Sequence, residues 1–157
     1  MAGMARILIS TLMVLSAASV AKADTEVNVV TASSFADPAD VLAYKECLKS
    51  GKNAKQCLAV GDNGIGLWGD DTTVAKPLCA LPPDDWLTKW KKGSIARGKK
   101  IELSLNDKKV ICELRDTMPA KAKITNGAGI DLNPGAAKAL GLKPPFMQPN
   151  VGWRWVD

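Results

Sequence analysis

The chain has no histidine among its 157 residues. That excludes Ser-His and Cys-His nucleophile systems and any imidazole general base, and leaves carboxylates as the main groups for acid–base work. Its four cysteines are scattered without a CxxC pair, which with histidine missing makes a zinc site a poor alternative. A glycine-rich stretch, residues 61–72, is followed by no Gly-Lys-Ser/Thr, so it is not a phosphate loop. The stretch also lacks the DxDxDG order and closing glutamate of a calcium loop. No internal repeat and no low-complexity tract is present. No metal or cofactor is therefore expected, and nothing in the pattern points to nucleic acid.

Long apolar runs are missing too, apart from one at the start. Arg6, the mostly apolar residues 7–20 and Ala21-Lys22-Ala23 have the charged, apolar and small-x-small parts of a secretory signal. The run is short for a membrane span, so residues 1–23 are read as a signal peptide, with no stable membrane insertion after cleavage. No cysteine directly follows the cleavage site to carry a lipid. Cleavage reduces 21 basic residues to 19 against 16 acidic ones, and the net charge from +5 to +3. That weak positive charge is compatible with an anionic cell wall and selects no partner by itself. A secreted or periplasmic location follows.

In an exported chain four cysteines imply two disulfides, with three connectivities. The expected pairs are Cys47–Cys57, which brackets a lysine-rich turn around Gly51, and Cys79–Cys112, which staples a loop to a core strand.

Residues 24–35 are polar and β-leaning, a terminal strand or a loose arm. Asp37-Pro38 begins a helix with a partial apolar face from Val41, Leu42, Tyr44 and Leu48. Gly51 breaks it, and Asn53 caps a second short helix. Residues 24–60 thus read as a helical extension that serves as packing cover, with the main domain at 61–157. Within residues 61–72, Trp68 stands among glycines; it is either buried by another segment or left as a ligand platform. Pro82-Pro83 turns into a short helix with Trp86 and Trp90, and Lys89, Lys91 and Lys92 make the following stretch basic. Residues 99–105 and 108–114 form a hairpin around Asn106-Asp107. In residues 151–156, Trp153 and Trp155 share a face opposite Arg154, a pattern more typical of core than of a binding surface.

The most informative stretch is residues 110–142. Residues 110–114 suit a buried strand, which ends at Arg115-Asp116-Thr117 before Pro119. A loop leads to Gly129-Ile130-Asp131-Leu132. Asn133 is an N-cap, Pro134 fits the first helical position, and Gly141 suits the C-terminal stop. Asp116 and Asp131 therefore each end an extended segment, and are expected to face one cleft.

This order of motifs resembles the double-psi β-barrel of the rare lipoprotein A and expansin superfamily. The resemblance rests on Asp116-Thr117-Met118-Pro119, Ile130-Asp131-Leu132-Asn133, the Ala136–Gly141 helix and Gly98-Lys99-Lys100-Ile101. It is good from Ile101 to Leu142 and loose from Asp62 to Trp155. It implies a mainly β fold, a six-stranded double-psi barrel with short helices, crossed by a polysaccharide groove. Asp131 then matches a catalytic acid, with Asp116 in the same groove. Thr117-Met118 stands where that family has Arg-Gly, and Asn133 where it has Ser.

Glycosidic cleavage needs a carboxylic acid to protonate the leaving oxygen, and in inverting enzymes a second carboxylate to activate water. Asp131, between Ile130 and Leu132, is placed for a pKa raised by desolvation; the following helix N-terminus opposes that. The expected site has Asp131 and Asp116 as catalytic groups, with Trp68, Asp62, Asp70, Asp71, Thr117 and Asn133 as substrate contacts. The leading expectation is binding or cleavage of cell-wall glycan, with peptidoglycan the candidate. The alternatives are a non-catalytic expansin-like module and a secreted interaction or inhibitor domain.

Overall fold

The computed structural model describes residues 26–157; the expected signal, residues 1–23, lies outside the described residues. Six strands close into a barrel in the order β1-β5-β2-β4-β3-β6. They are β1 (Asn28–Ser34), β2 (Leu78–Leu81), β3 (Lys100–Leu105), β4 (Lys108–Thr117), β5 (Ala128–Leu132) and β6 (Met147–Trp155). Two pairs are parallel, β1 with β5 and β2 with β4, and the remaining pairs are antiparallel. This is the closed six-stranded, mainly β barrel that the sequence implies.

Alternation fills the interior. Ile101, Leu103 and Leu105 of β3 point inward with Cys112 and Leu114 of β4, and with Ile130 and Leu132 of β5. Trp153 and Trp155 join this core edge to face, their ring centroids 5.8 Å apart. Trp90 lies against Trp155, and the ammonium of Lys99 sits 4.4 Å from the centre of the Trp90 ring.

Both disulfides form as expected, Cys47–Cys57 and Cys79–Cys112. The second joins neighbouring strands β2 and β4 inside the core. Closing its 33-residue separation is worth about 3.7 kcal/mol in the chain-entropy picture. Bonds of this kind persist in oxidising compartments. Among the described residues no helix is long and apolar enough to cross a membrane.

Two boundaries differ from the sequence reading. Residues 28–34 are a barrel strand paired to both β5 and β6, so the barrel does not begin at residue 61. The helices α1 (Pro38–Lys49) and α2 (Ala54–Cys57) are thus an insertion between β1 and β2. α1 has no buried residue of its own. It packs against the start of the glycine-rich stretch, where a Cβ on Gly61 would lie 2.4 Å from the Asp40 carbonyl oxygen.

The helices α3 (Pro83–Trp90), α4 (Gly93–Ala96) and α5 (Pro134–Leu140) complete the fold, with a 3-10 turn at Lys121–Lys123. The caps of α5 are those expected: Asn133 accepts from the Ala136 amide at 2.9 Å, and Gly141 closes the helix in the left-handed region at φ 80°.

Candidate functional site

Register brings the two aspartates onto one face. Asp131 of β5 lies beside Ala80 of β2, and Ala80 lies beside Asp116 of β4. Cys79 pairs with Leu114 and Ala80 with Asp116, so Arg115 is skipped. One extra residue reverses the alternation that put Cys112 and Leu114 inside. Asp116 consequently turns outward with Ala80 and Asp131. The two aspartates stand two strand spacings apart, about 9–10 Å at Cα.

Asp131 is half-buried. The Ser33 hydroxyl on β1 donates to its Oδ1. Burial pushes its pKa up to about 6, against the Ser33 bond that lowers it; Asp116 and Asp62 add smaller upward contributions. The carboxyl opens into a cavity of about 150 Å³ formed with Met118, Pro119, Lys123, Ile124, Thr125 and Asn126.

Asp116 is differently occupied. Its Oδ1 accepts from the Leu67 amide at 2.8 Å and from the Thr117 amide at 2.7 Å. Burial nonetheless raises its pKa above the usual value, the two amide bonds opposing. The glycine-rich stretch is drawn down onto the bulge of β4 by this bond. Gly66 makes the approach sterically feasible, since a Cβ there would lie 2.3 Å from the Arg115 carbonyl oxygen.

The remaining predicted contacts separate. Asp62 accepts from the Gly64 amide at 2.6 Å and its pKa is raised by burial. It is close enough to Asp116 and Asp131 to raise both. Asp70 points elsewhere, into a bidentate pair with Arg97 at 2.7 and 3.0 Å and a contact with Arg115 at 3.2 Å; Arg97 holds its pKa low. Asp71 closes a turn on the Thr73 amide and hydroxyl, at 2.9 and 2.7 Å.

Thr117, Asn133 and Trp68 each have partners within the chain. The Thr117 hydroxyl accepts from the Trp86 indole at 3.2 Å and lies near the Leu81 and Met118 carbonyls. Asn133 is fully buried. Its Oδ1 accepts from the amides of Leu78 and Ala136, and its amide nitrogen lies 3.0 Å from each of the Thr72, Val74 and Lys76 carbonyls. It ties the segment before β2 to the start of α5. Trp68 is half-buried, edge to face with Trp86 at 5.8 Å, with Gly93 beside its indole nitrogen.

Ser33 is the site residue that sequence reasoning missed. Its signal was the parallel β1–β5 pairing, which residues 24–35 do not announce. A larger groove, about 510 Å³, is lined by Ala36, Pro38, Val41, Leu42, Lys45, Thr73 and Pro134 and by neither aspartate. Among the described residues no cluster of metal-ligating side chains is found.

No protein-family model matches the chain, and no curated protein matches it. Among solved structures it is similar to the Streptomyces papain inhibitor, with a TM-score of 0.53 and 19% identity over 85% of this chain and 96% of that one. At that identity the likeness establishes a shared barrel fold, without fixing the superfamily or the site.

Proposed function

We propose that the chain is an exported barrel that binds and blocks another protein, of the protease-inhibitor type, with residues 1–23 as its export signal. The observation that carries this reading is that several of the expected glycan contacts are engaged within the chain itself. Leu67 is bonded to Asp116, Trp68 is packed on Trp86, and Asn133 is buried. Of the two carboxylates only Asp131 opens into a cavity, while Asp116 is held by the Leu67 and Thr117 amides and the Trp68 ring lies edge to face with Trp86. The barrel shared with a papain inhibitor supports the same reading. A closed, disulfide-tied barrel is also a rigid base for an inhibitory surface, since preorganised contacts lose little entropy on binding. The test is steady-state hydrolysis of a peptide substrate by papain with increasing amounts of the purified protein. Saturable inhibition supports the reading, and unchanged hydrolysis at high micromolar protein contradicts it.

A second reading keeps one specific observation, the half-buried Asp131 with its pKa near 6 at the mouth of a cavity. That is a suitable state for a general acid in glycan cleavage. It goes with the rare lipoprotein A-like resemblance and with peptidoglycan as substrate. Release of soluble fragments from insoluble peptidoglycan, abolished by Asp131→Asn, supports it; no release from the wild type removes it.

A further inference from the structure

We infer that the cavity beside Asp131 is a binding site for a lysine side chain, a primary ammonium on an alkyl stem, presented by a partner chain. The inference goes beyond the inhibitor reading and is independent of it.

The cavity has a charged end and an apolar wall. Asp131 on β5 lines it together with Met118, Pro119 and Ile124, and with Thr125 and Asn126 as neutral polar groups. The wall is anchored. Met118 is 5% exposed and packs with Phe35, Ala36, Ala80 and Ala128 in an apolar cluster separate from the barrel interior, and Ile124 packs against the same cluster. The rim is tied down as well. The Lys121 amide donates to Asp84 at 2.9 Å and its ammonium to Asp85 at 2.5 Å. The Ile124 amide donates to the Lys121 carbonyl at 3.2 Å, and the Ala128 amide to the Asn126 side chain at 3.0 Å. A pocket formed during folding leaves little ordering cost for binding. Its volume of about 150 Å³ suits one side chain; sites for drug-sized ligands run to about 300–1,000 Å³.

The carboxylate has no cation of its own. The groups that act on it are Ser33 on β1, Asp116 on β4 and Asp62 in the glycine-rich stretch, a hydroxyl and two further carboxylates. Among the described residues no ammonium or guanidinium acts on any of these three aspartates. Lys123 is exposed on the rim and is not among the groups that shift Asp131. The cavity at Asp70 and Asp71 differs, because Lys76 and Arg115 share it and Asp70 is paired with Arg97 and Arg115. At pH 7 Asp131 is therefore an ionised, half-buried group that an incoming cation neutralises.

The acceptor geometry selects an ammonium. Ser33 donates to Oδ1 of Asp131, which leaves the other oxygen for a ligand. A guanidinium fork makes its bidentate contact through both oxygens, whereas an ammonium is a point charge that one oxygen serves. The alkyl stem of lysine lies along apolar surface while its head meets the charge, which matches Met118, Pro119 and Ile124 leading to Asp131.

The experiment follows the backbone amides of the intact, isotope-labelled protein by NMR at pH 7.5 as n-butylammonium is added, against equal sodium chloride. n-Butanol serves as the neutral isostere, n-propylguanidinium as the fork, and Nα-acetyl-lysine N-methylamide as the peptide form. The expected result is saturable shifts at residues 123–126 and 131 with the amine, binding about tenfold or more weaker for n-butanol and n-propylguanidinium, and binding at least as tight for the lysine derivative. Asp131→Asn is expected to abolish the shifts. Asp131 titrates near 6 and an alkylammonium near about 10.4, so affinity should follow the ionised carboxylate and fall about thirtyfold from pH 7.5 to pH 4.5. No shifts at tens of millimolar amine, an unchanged affinity in Asp131→Asn, an affinity that does not change with pH, or n-butanol binding as tightly as the amine each overturns the inference. Tighter binding of the guanidinium overturns the choice of ammonium, and weaker binding of the lysine derivative than of the free amine overturns the partner chain as its source. Should Asp131→Asn unfold, the pH series on the wild type decides. Papain is absent from every arm, so failure here leaves the inhibitor reading standing.

Discussion

The sharpest energetic consequence concerns Asp131→Asn. Folding raises this carboxyl from an ordinary 3.8 to about 6. The protonated form is thus the one the folded state favours. The stability it contributes is fully present below pH 3.8 and is lost as pH rises through about 6. At pH 7 the folded state carries an ionised group that burial disfavours, at a cost of about 3 kcal/mol. Asparagine keeps the shape and an oxygen to accept from Ser33, and carries no charge. The variant is therefore expected to be about 3 kcal/mol more stable than wild type at pH 7, or about 10 °C in Tm for a domain of this size. At pH 3.5 the two should melt together. Circular dichroism melts at pH 3.5, 5, 6 and 7 read the effect, and a carboxyl NMR titration reads the pKa itself. A stability gap that does not grow between pH 3.5 and 7, or a variant less stable at pH 7, would contradict burial as the cause of the raised pKa.

Three further outcomes follow from single contacts. Gly66→Ala places a methyl 2.3 Å from the Arg115 carbonyl oxygen and should cost about 1–3 kcal/mol, read by urea unfolding. Asn133→Ala strands the Leu78 amide and uncaps α5, both buried, for a loss of about 3 kcal/mol or more in the same assay. Replacing Cys79 and Cys112 together by alanine should cost about 3.7 kcal/mol, whereas the 10-residue separation of Cys47 and Cys57 is worth about 2.7 kcal/mol. Equal losses for the two pairs would contradict the loop-length argument.

Local chemistry made much of the fold legible. The hairpin of β3 and β4 shows in its alternation around Asn106-Asp107, and α5 shows in its caps, Asn133, Pro134 and Gly141. The cysteine pairs follow from what they bracket. β2 does not show, because all four of its residues are buried and it lacks an alternating pattern. β1 joins the barrel through pairings 97 residues and more away, such as Ser33 with Asp131, which no local signal encodes. The site was legible only in part. That Asp116 and Asp131 share a face depends on the skipped Arg115, and bulges leave no mark in the residue types here. A single sequence likewise does not tell an N-cap that also binds three carbonyls, Asn133, from one facing solvent. Nor does it tell that Leu67 would reach the carboxylate of Asp116.

An inhibitory barrel must present papain with one defined part of its surface. Hydrogen–deuterium exchange of the intact protein, with and without an excess of papain, tests this most directly. The expected result is new protection over one contiguous surface at saturating papain, with residues 118–126 beside Asp131 unchanged. Protection confined to residues 118–126, or none anywhere at saturating papain, would contradict it.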